Sequence, residues 1–132
     1  MAEGGGRIGV GSGVFEGPFT LRARTEEGVR STNPEELIGA ANAGCFTMSL
    51  ANLLSEQGHP PDDLQTTAHV VLEQLETGFA ITRIELSTKG RVAGVDAATF
   101  AALAEQAKAT CPVSRALAGT QITLEAQLVD GE

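Results

Sequence analysis

Two cysteines hold the thiol chemistry of this chain: Cys45, within "NPEELIGAANAGCFTMSLANLL" (residues 33–54), and Cys111, in "ATCPVSRAL". A thiolate is the nucleophilic, metal-binding and redox-active form, so the surroundings decide which sulfur is the anion. Cys45 lies about three turns into a helix, beyond the reach of a macrodipole that fades within roughly the first turn. A thiolate there needs a nearby cation, because burial alone raises a cysteine pKa. Cys111 precedes Pro112, which can open a short helix "PVSRAL" at its first position. Cys111 is then the N-cap, where the dipole favours the anion. On these grounds Cys111 has the better claim to a low pKa. Against both stands an inert reading, since free cysteine is among the most buried residue types and packs as a small hydrophobe. No CxxC joins the pair, and His59 and His69 lie at no recognised ligand spacing. Neither a metal site nor a cofactor is expected.

The elements that must position these thiols follow from pattern. Residues 7–22 read as strands joined by turn-prone "GSG" and "EGP", and residues 23–32, "ARTEEGVRST", as a loop. A long helix then starts with Asn33 as N-cap, Pro34 at the first position and Glu36 as the partner in a capping box. It ends at "EQGHPPDD". Two strands follow around a turn near "ETG", with Ala68, Val70 and Leu72 on one face and Thr82, Ile84 and Leu86 sharing a face of the next. "VDAATFAALAEQAKAT" is a helix capped by Asp96, with Phe100, Leu103, Ala104 and Ala107 on one side. "QITLEAQLV" closes the chain as a strand, Ile122, Leu124, Ala126 and Leu128 alternating with polar residues. This order gives an α+β fold in one domain over residues 1–132, with residues 1–6 mobile. The first helix is apolar almost all round, through Leu37, Ile38, Ala41, Phe46, Met48, Leu50, Leu53 and Leu54. Such a helix is buried on all sides, and a chain this short has little material to enclose it. An obligate homodimer sharing a long buried central helix is therefore expected.

Composition narrows the function. The chain has 132 residues, five Phe and neither Trp nor Tyr, so its core is largely aliphatic. The net charge of −8, with no basic run, disfavours nucleic acid and anionic membrane as partners. No unbroken apolar run reaches a membrane-spanning length, and "MAEGGGRIG" lacks the features of a secretory signal. A cytoplasmic protein is expected, in a reducing compartment where two cysteines are catalytic, redox-active or inert rather than a staple. "GVGSG" is not GxGxxG and opens no helix, so nucleotide binding is rejected.

"TNPEELIGAANAGCFTMSLANLL", "GFAIT" and "AKATCPVSRAL" resemble the OsmC/Ohr family (osmotically inducible protein C and organic hydroperoxide resistance proteins), nearer the OsmC branch. The resemblance runs from about residue 7 to the C-terminus. It implies an antioxidant thiol peroxidase of the oxidative stress response, an intertwined α+β homodimer with a long central helix against antiparallel sheets and active sites at the interface. It places Cys45 on the peroxidatic cysteine, Cys111 on the resolving cysteine and Glu35 on the active-site glutamate. Arg24 is the best match to the family's arginine, with Arg22 and Arg30 as neighbours. Ten residues of helix advance about 15 Å, so Glu35 cannot touch Cys45 within its own helix. If the two act together, Glu35 comes from the partner chain, which agrees with the all-round apolar helix.

The mechanism this implies gives Arg24 the task of holding Cys45 as a thiolate, with Glu35 clamping Arg24 in a bidentate pair. Attack on a peroxide would leave Cys45 as sulfenic acid, and Cys111 would condense with it to a disulfide. The family resemblance implies recycling by a dithiol, namely lipoyl groups on carrier proteins. Phe46 and Met48 beside Cys45 suggest a pocket for organic hydroperoxides, with hydrogen peroxide as a second substrate. The competing reading is a non-catalytic dimeric binding domain of the same fold with inert thiols.

Overall fold

The computed structural model describes residues 4–129, and their contacts cluster into two compact units divided between Ile38 and Gly39. In the first, β1 (Gly5–Gly9) and β2 (Glu16–Thr20) pair antiparallel, Arg7 opposite Pro18. Gly5 and Gly6, expected to be mobile, are strand residues; the same expectation for residues 1–3 lies outside the described residues. The "GSG" stretch does turn between the strands, whereas "EGP" is the start of β2 itself. Residues 23–32 are not all loop. Arg22–Thr25 form a short helix, α1, whose entry is fixed by the Thr20 hydroxyl accepting from the Ala23 N–H at 3.1 Å.

Helix α2 (Pro34–Glu56) begins where the cap residues require. Asn33 Oδ1 accepts from the Glu36 N–H at 2.7 Å, half of a capping box. The reciprocal half differs from expectation: the Glu36 carboxylate accepts from the Thr32 hydroxyl at 2.6 Å. Asn33 Nδ2 donates to the Ala23 carbonyl at 2.7 Å and so ties α1 to the helix start.

The second unit holds the rest of α2, a three-stranded sheet in the order β3-β4-β5 and two further helices. β3 (Asp63–Leu75) and β4 (Gly78–Arg91) form an antiparallel hairpin around Glu76–Thr77. Its register shifts at Val71/Leu72, so Leu72 faces Ile81, not Thr82. Thr82 is the extra residue, and its hydroxyl donates to Glu73 on the exposed side. The expected sharing of a face by Thr82, Ile84 and Leu86 therefore fails at Thr82 alone. α3 (Ala97–Thr110) is capped by Asp96, which accepts from the Thr99 N–H at 2.7 Å, and buries Phe100, Leu103, Ala104 and Ala107. α4 (Pro112–Ala116) follows at once, and β5 (Gln121–Val129) returns parallel to β4, Leu86 opposite Leu124. The sheet is mixed, not antiparallel, because a helical crossover delivers β5 in the same direction as β4.

The core consists of Phe46, Leu50 and Leu54 from α2, Leu86 and Val92 from and after β4, the four α3 residues and Cys111. Gly90 is required here: a Cβ would lie 2.6 Å from the Phe100 ring and 2.9 Å from Leu64. Within one chain α2 buries a single stripe, Asn42, Phe46, Leu50 and Leu54, rather than all sides. Its other face is open, with Ala40, Ala41 and Gly44 exposed and Met48 75% exposed. By length and a mean hydropathy of 1.4, α2 would suffice to cross a bilayer, but its stripe is the spine of this core.

Candidate functional site

The sequence candidates fall into two clusters, one in each unit. In the first, α1 presents Arg24, and its Nε donates to Glu35 Oε1 at 2.5 Å. Glu35 is only 5% exposed on the first turn of α2, and its Oε2 is buried with no hydrogen-bond partner among the described residues. The ion pair forms, yet through one carboxylate oxygen rather than the bidentate geometry expected. Of the three candidate arginines, Arg24 is the one bound to Glu35; Arg22 is paired with Glu26 at 3.0 Å on the surface, and Arg30 is exposed.

The second cluster joins the thiols. Cys45 is half-buried on α2 and Cys111 fully buried at the start of α4. Cys45 packs against the core cluster that contains Cys111, and the two side chains shift each other's ionisation. Burial pushes the Cys45 thiol up, and the hydrogen bond to Cys111 and its negative charge push the same way. The Val113 N–H and the Ser49 hydroxyl, one turn further along α2, oppose that rise without cancelling it. Burial also acts to raise Cys111, but it is outweighed by Cys45 S–H, by the Ser114 N–H and hydroxyl, and by the Val113 N–H. Cys111 therefore lies below the ordinary cysteine value.

The local sequence explains this asymmetry. Pro112 occupies the first position of α4 and has no N–H to give, so Val113 and Ser114 supply the free amides of the helix start. Both amides favour the Cys111 anion, and the Cys111 N–H is itself satisfied by the Ala107 carbonyl at 2.9 Å. Cys111 stands at the N-cap position expected from "CPVSRAL", without a side-chain cap hydrogen bond, and its shift has the expected direction. Behind it lies a polar pair that the sequence reading did not single out: Ser114 Oγ donates to Asn42 Oδ1 at 2.9 Å, both residues buried. The available signal was Asn42 itself, a lone amide on the core stripe of an apolar helix.

His69 is exposed on β3 and bound to Glu85, Nδ1 to Oε1 2.9 Å. Arg83 holds the other oxygen of Glu85 at 2.9 Å, and together they keep this carboxyl below its usual range, His69 contributing most.

A mixed α+β chain with a long apolar helix and a contacting thiol pair defines the class, and comparison with known proteins supplies the family. Residues 26–126 match the OsmC-like protein family. The chain is 47% identical over 129 residues to Peroxiredoxin OsmC of Escherichia coli, covering 97% of this chain and 89% of that protein. It is 34% identical over 111 residues to the organic hydroperoxide resistance protein OhrA of Bacillus subtilis, covering 82% and 74%. Among solved structures, an organic hydroperoxide resistance protein from Elizabethkingia anophelis superposes with a TM-score of 0.71 at 22% identity, covering 98% of this chain and 96% of that one. The chain belongs to the OsmC family.

Proposed function

We propose that the protein is a thiol peroxidase that reduces organic hydroperoxides to alcohols, with hydrogen peroxide as a lesser substrate. The observation that carries this reading is the meeting of Cys45 and Cys111 at one core, where each shifts the other's ionisation, in a chain whose relatives are named for peroxide reduction and hydroperoxide resistance. Cys45 thiolate attacks the terminal peroxide oxygen; the O–O bond breaks, the alkoxide leaves and is protonated, and Cys45 becomes a sulfenic acid. Cys111 thiolate then attacks the Cys45 sulfur, expelling hydroxide and forming the Cys45–Cys111 disulfide. A dithiol reductant reopens this bond and is itself oxidised to a disulfide. Lipoyl groups of carrier proteins are the reductant proposed, in the reducing cytoplasm where such a dithiol persists.

Within one chain Cys45 lies above and Cys111 below the ordinary cysteine value, so Cys45 needs a cation to become the nucleophile. Arg24 is the proposed source, supplied by a second copy. A helix that advances about 15 Å in ten residues keeps Glu35 away from Cys45 of its own chain. A homodimer packed on the open face of α2 would cover Met48 and bring the partner subunit's Arg24, held by the partner subunit's Glu35, to the thiols. The guanidinium then draws the charge onto Cys45, leaves the proton on Cys111 until the departing alkoxide takes it, and stabilises that alkoxide, so that Cys111 is the thiolate for the next step.

One equivalent of cumene hydroperoxide added to reduced protein tests the chemistry. Loss of two hydrogens in the intact mass, with a linked Cys45–Cys111 peptide, is expected; oxygen addition without the link would overturn the resolving role. Sedimentation tests the assembly: a dimer is expected, shifted toward monomer by Met48→Glu, and a monomeric parent protein would remove the source of the cation.

A further inference from the structure

Asn42 is wholly buried on the core face of α2, one turn before Cys45, and its Nδ2 has no hydrogen-bond partner among the described residues. A buried N–H donor left without an acceptor costs about 1–3 kcal/mol. Its Oδ1 accepts from Ser114 Oγ at 2.9 Å, and Ser114 is also a neighbour of the Cys111 sulfur. A serine hydroxyl has a single proton, so Asn42 Oδ1 and Cys111 Sγ compete for it. A half-turn of the Asn42 amide resolves the competition, because its nitrogen and oxygen occupy near-equivalent positions. Nδ2–H then donates to Ser114 Oγ, and the Ser114 proton turns to Cys111 Sγ. The atom left bare is a carbonyl oxygen, which proteins tolerate better than a bare N–H.

We propose that Asn42 and Ser114 are positioning residues for disulfide closure: a buried relay from Asn42 Nδ2 through Ser114 Oγ to Cys111 Sγ holds Cys111 as the attacking thiolate. The inference rests on the peroxidase reading for its role in turnover. In the step it serves, Cys111 S⁻ attacks the sulfur of Cys45 sulfenic acid. The S–S bond forms, the S–O bond breaks, and hydroxide departs with the electron pair into the solvent, where a buffer acid protonates it to water. Cys111 is then uncharged, and the Ser114 proton can return to Asn42 Oδ1. The titratable group facing Cys111 from α2 is Cys45. On α3, Lys108 is bound to Glu105 at 3.3 Å and to the Ile122 carbonyl at 3.4 Å, and on α4 Arg115 is exposed.

The test is a pH titration of Cys111 thiolate absorbance in the Cys45→Ser background, with Ser114→Ala, Asn42→Leu and Ser114→Thr added singly. Removing the relay is expected to move the Cys111 titration up by about half to one pH unit, so that roughly three- to tenfold less thiolate is present below it. Ser114→Thr, which keeps the hydroxyl, should restore the titration. With both cysteines present, disulfide closure measured against sulfenic acid formation should slow by about two- to fivefold in Ser114→Ala, the greater nucleophilicity of a more basic thiolate offsetting part of the loss. An unchanged titration in Ser114→Ala overturns the relay, as does an equal shift in Ser114→Thr. If Asn42→Leu does not fold, the Ser114 pair decides alone. Should the protein consume no peroxide, the peroxidase reading fails while the titration still judges the relay.

Discussion

The Cys45 and Cys111 side chains interact directly, by hydrogen bond and charge. This interaction favours a higher pKa at Cys45, which lies above the ordinary cysteine value, and a lower one at Cys111, which lies below it. A pair in this state titrates as a unit, and removing one member changes the other. Two of the influences that raise Cys45, the hydrogen bond and the charge, come from Cys111, while burial remains without it. Cys111→Ser should therefore move the Cys45 titration to lower pH. Alkylation rate followed against pH reads this directly: its midpoint falls in the variant. An unchanged or higher midpoint would mean that Cys111 does not carry the charge.

The Arg24–Glu35 pair gives a stability prediction. Arg24→Ala leaves a carboxylate that is 5% exposed without its cation. The expected loss is about 1–3 kcal/mol, toward the lower end because the Arg24 side chain is itself about a third exposed and screened. Urea unfolding measures it, and adding Glu35→Gln to Arg24→Ala should recover part of the loss. No change in the midpoint for Arg24→Ala would show that the pair does not hold α1 to the start of α2.

Gly90 supports the core from beneath α3. Gly90→Ala places a methyl 2.6 Å from the Phe100 ring, which is fully buried and has no room to withdraw. Overpacking of this kind costs about 1–3 kcal/mol. Thermal unfolding should show the loss, and the double variant Gly90→Ala, Phe100→Leu should lose less than the two single effects added together. Simple additivity would contradict a steric cause.

The sequence made legible those parts of the fold that local chemistry decides. Asn33 and Asp96 marked their helix starts, and the spacing of Phe100, Leu103, Ala104 and Ala107 named the buried face of α3. Cys111 before Pro112 announced the short helix α4, at whose N-cap it stands. What stayed hidden depends on long-range pairing. The parallel return of β5 is set by the α3–α4 crossover, and nothing in "QITLEAQLV" encodes direction. The bulge at Thr82 follows from hairpin register, which its own alternation concealed. α1 escaped because "RART" is four residues long, too short for a period, and is stabilised through Thr20 and Asn33.

The same division applies to the candidate site. Residue type singled out both cysteines and the family resemblance singled out Glu35 and Arg24, while the pairing of Glu35 with Arg24, rather than Arg22 or Arg30, depends on α1. The Asn42–Ser114 contact joins residues far apart in the chain, and only the packing of α4 beside α2 brings them together.

The most direct measurement is steady-state consumption of cumene hydroperoxide and hydrogen peroxide by the purified protein, with dihydrolipoamide as reductant, beside Cys45→Ser and Cys111→Ser. Turnover faster with the organic peroxide, abolished in Cys45→Ser and stalled after one oxidation in Cys111→Ser, is the result expected of a two-cysteine peroxidase. Peroxide consumption that survives Cys45→Ser but disappears in Cys111→Ser would reverse the two roles. No consumption by fully reduced protein, with other dithiols also supplied, would contradict the peroxidase itself.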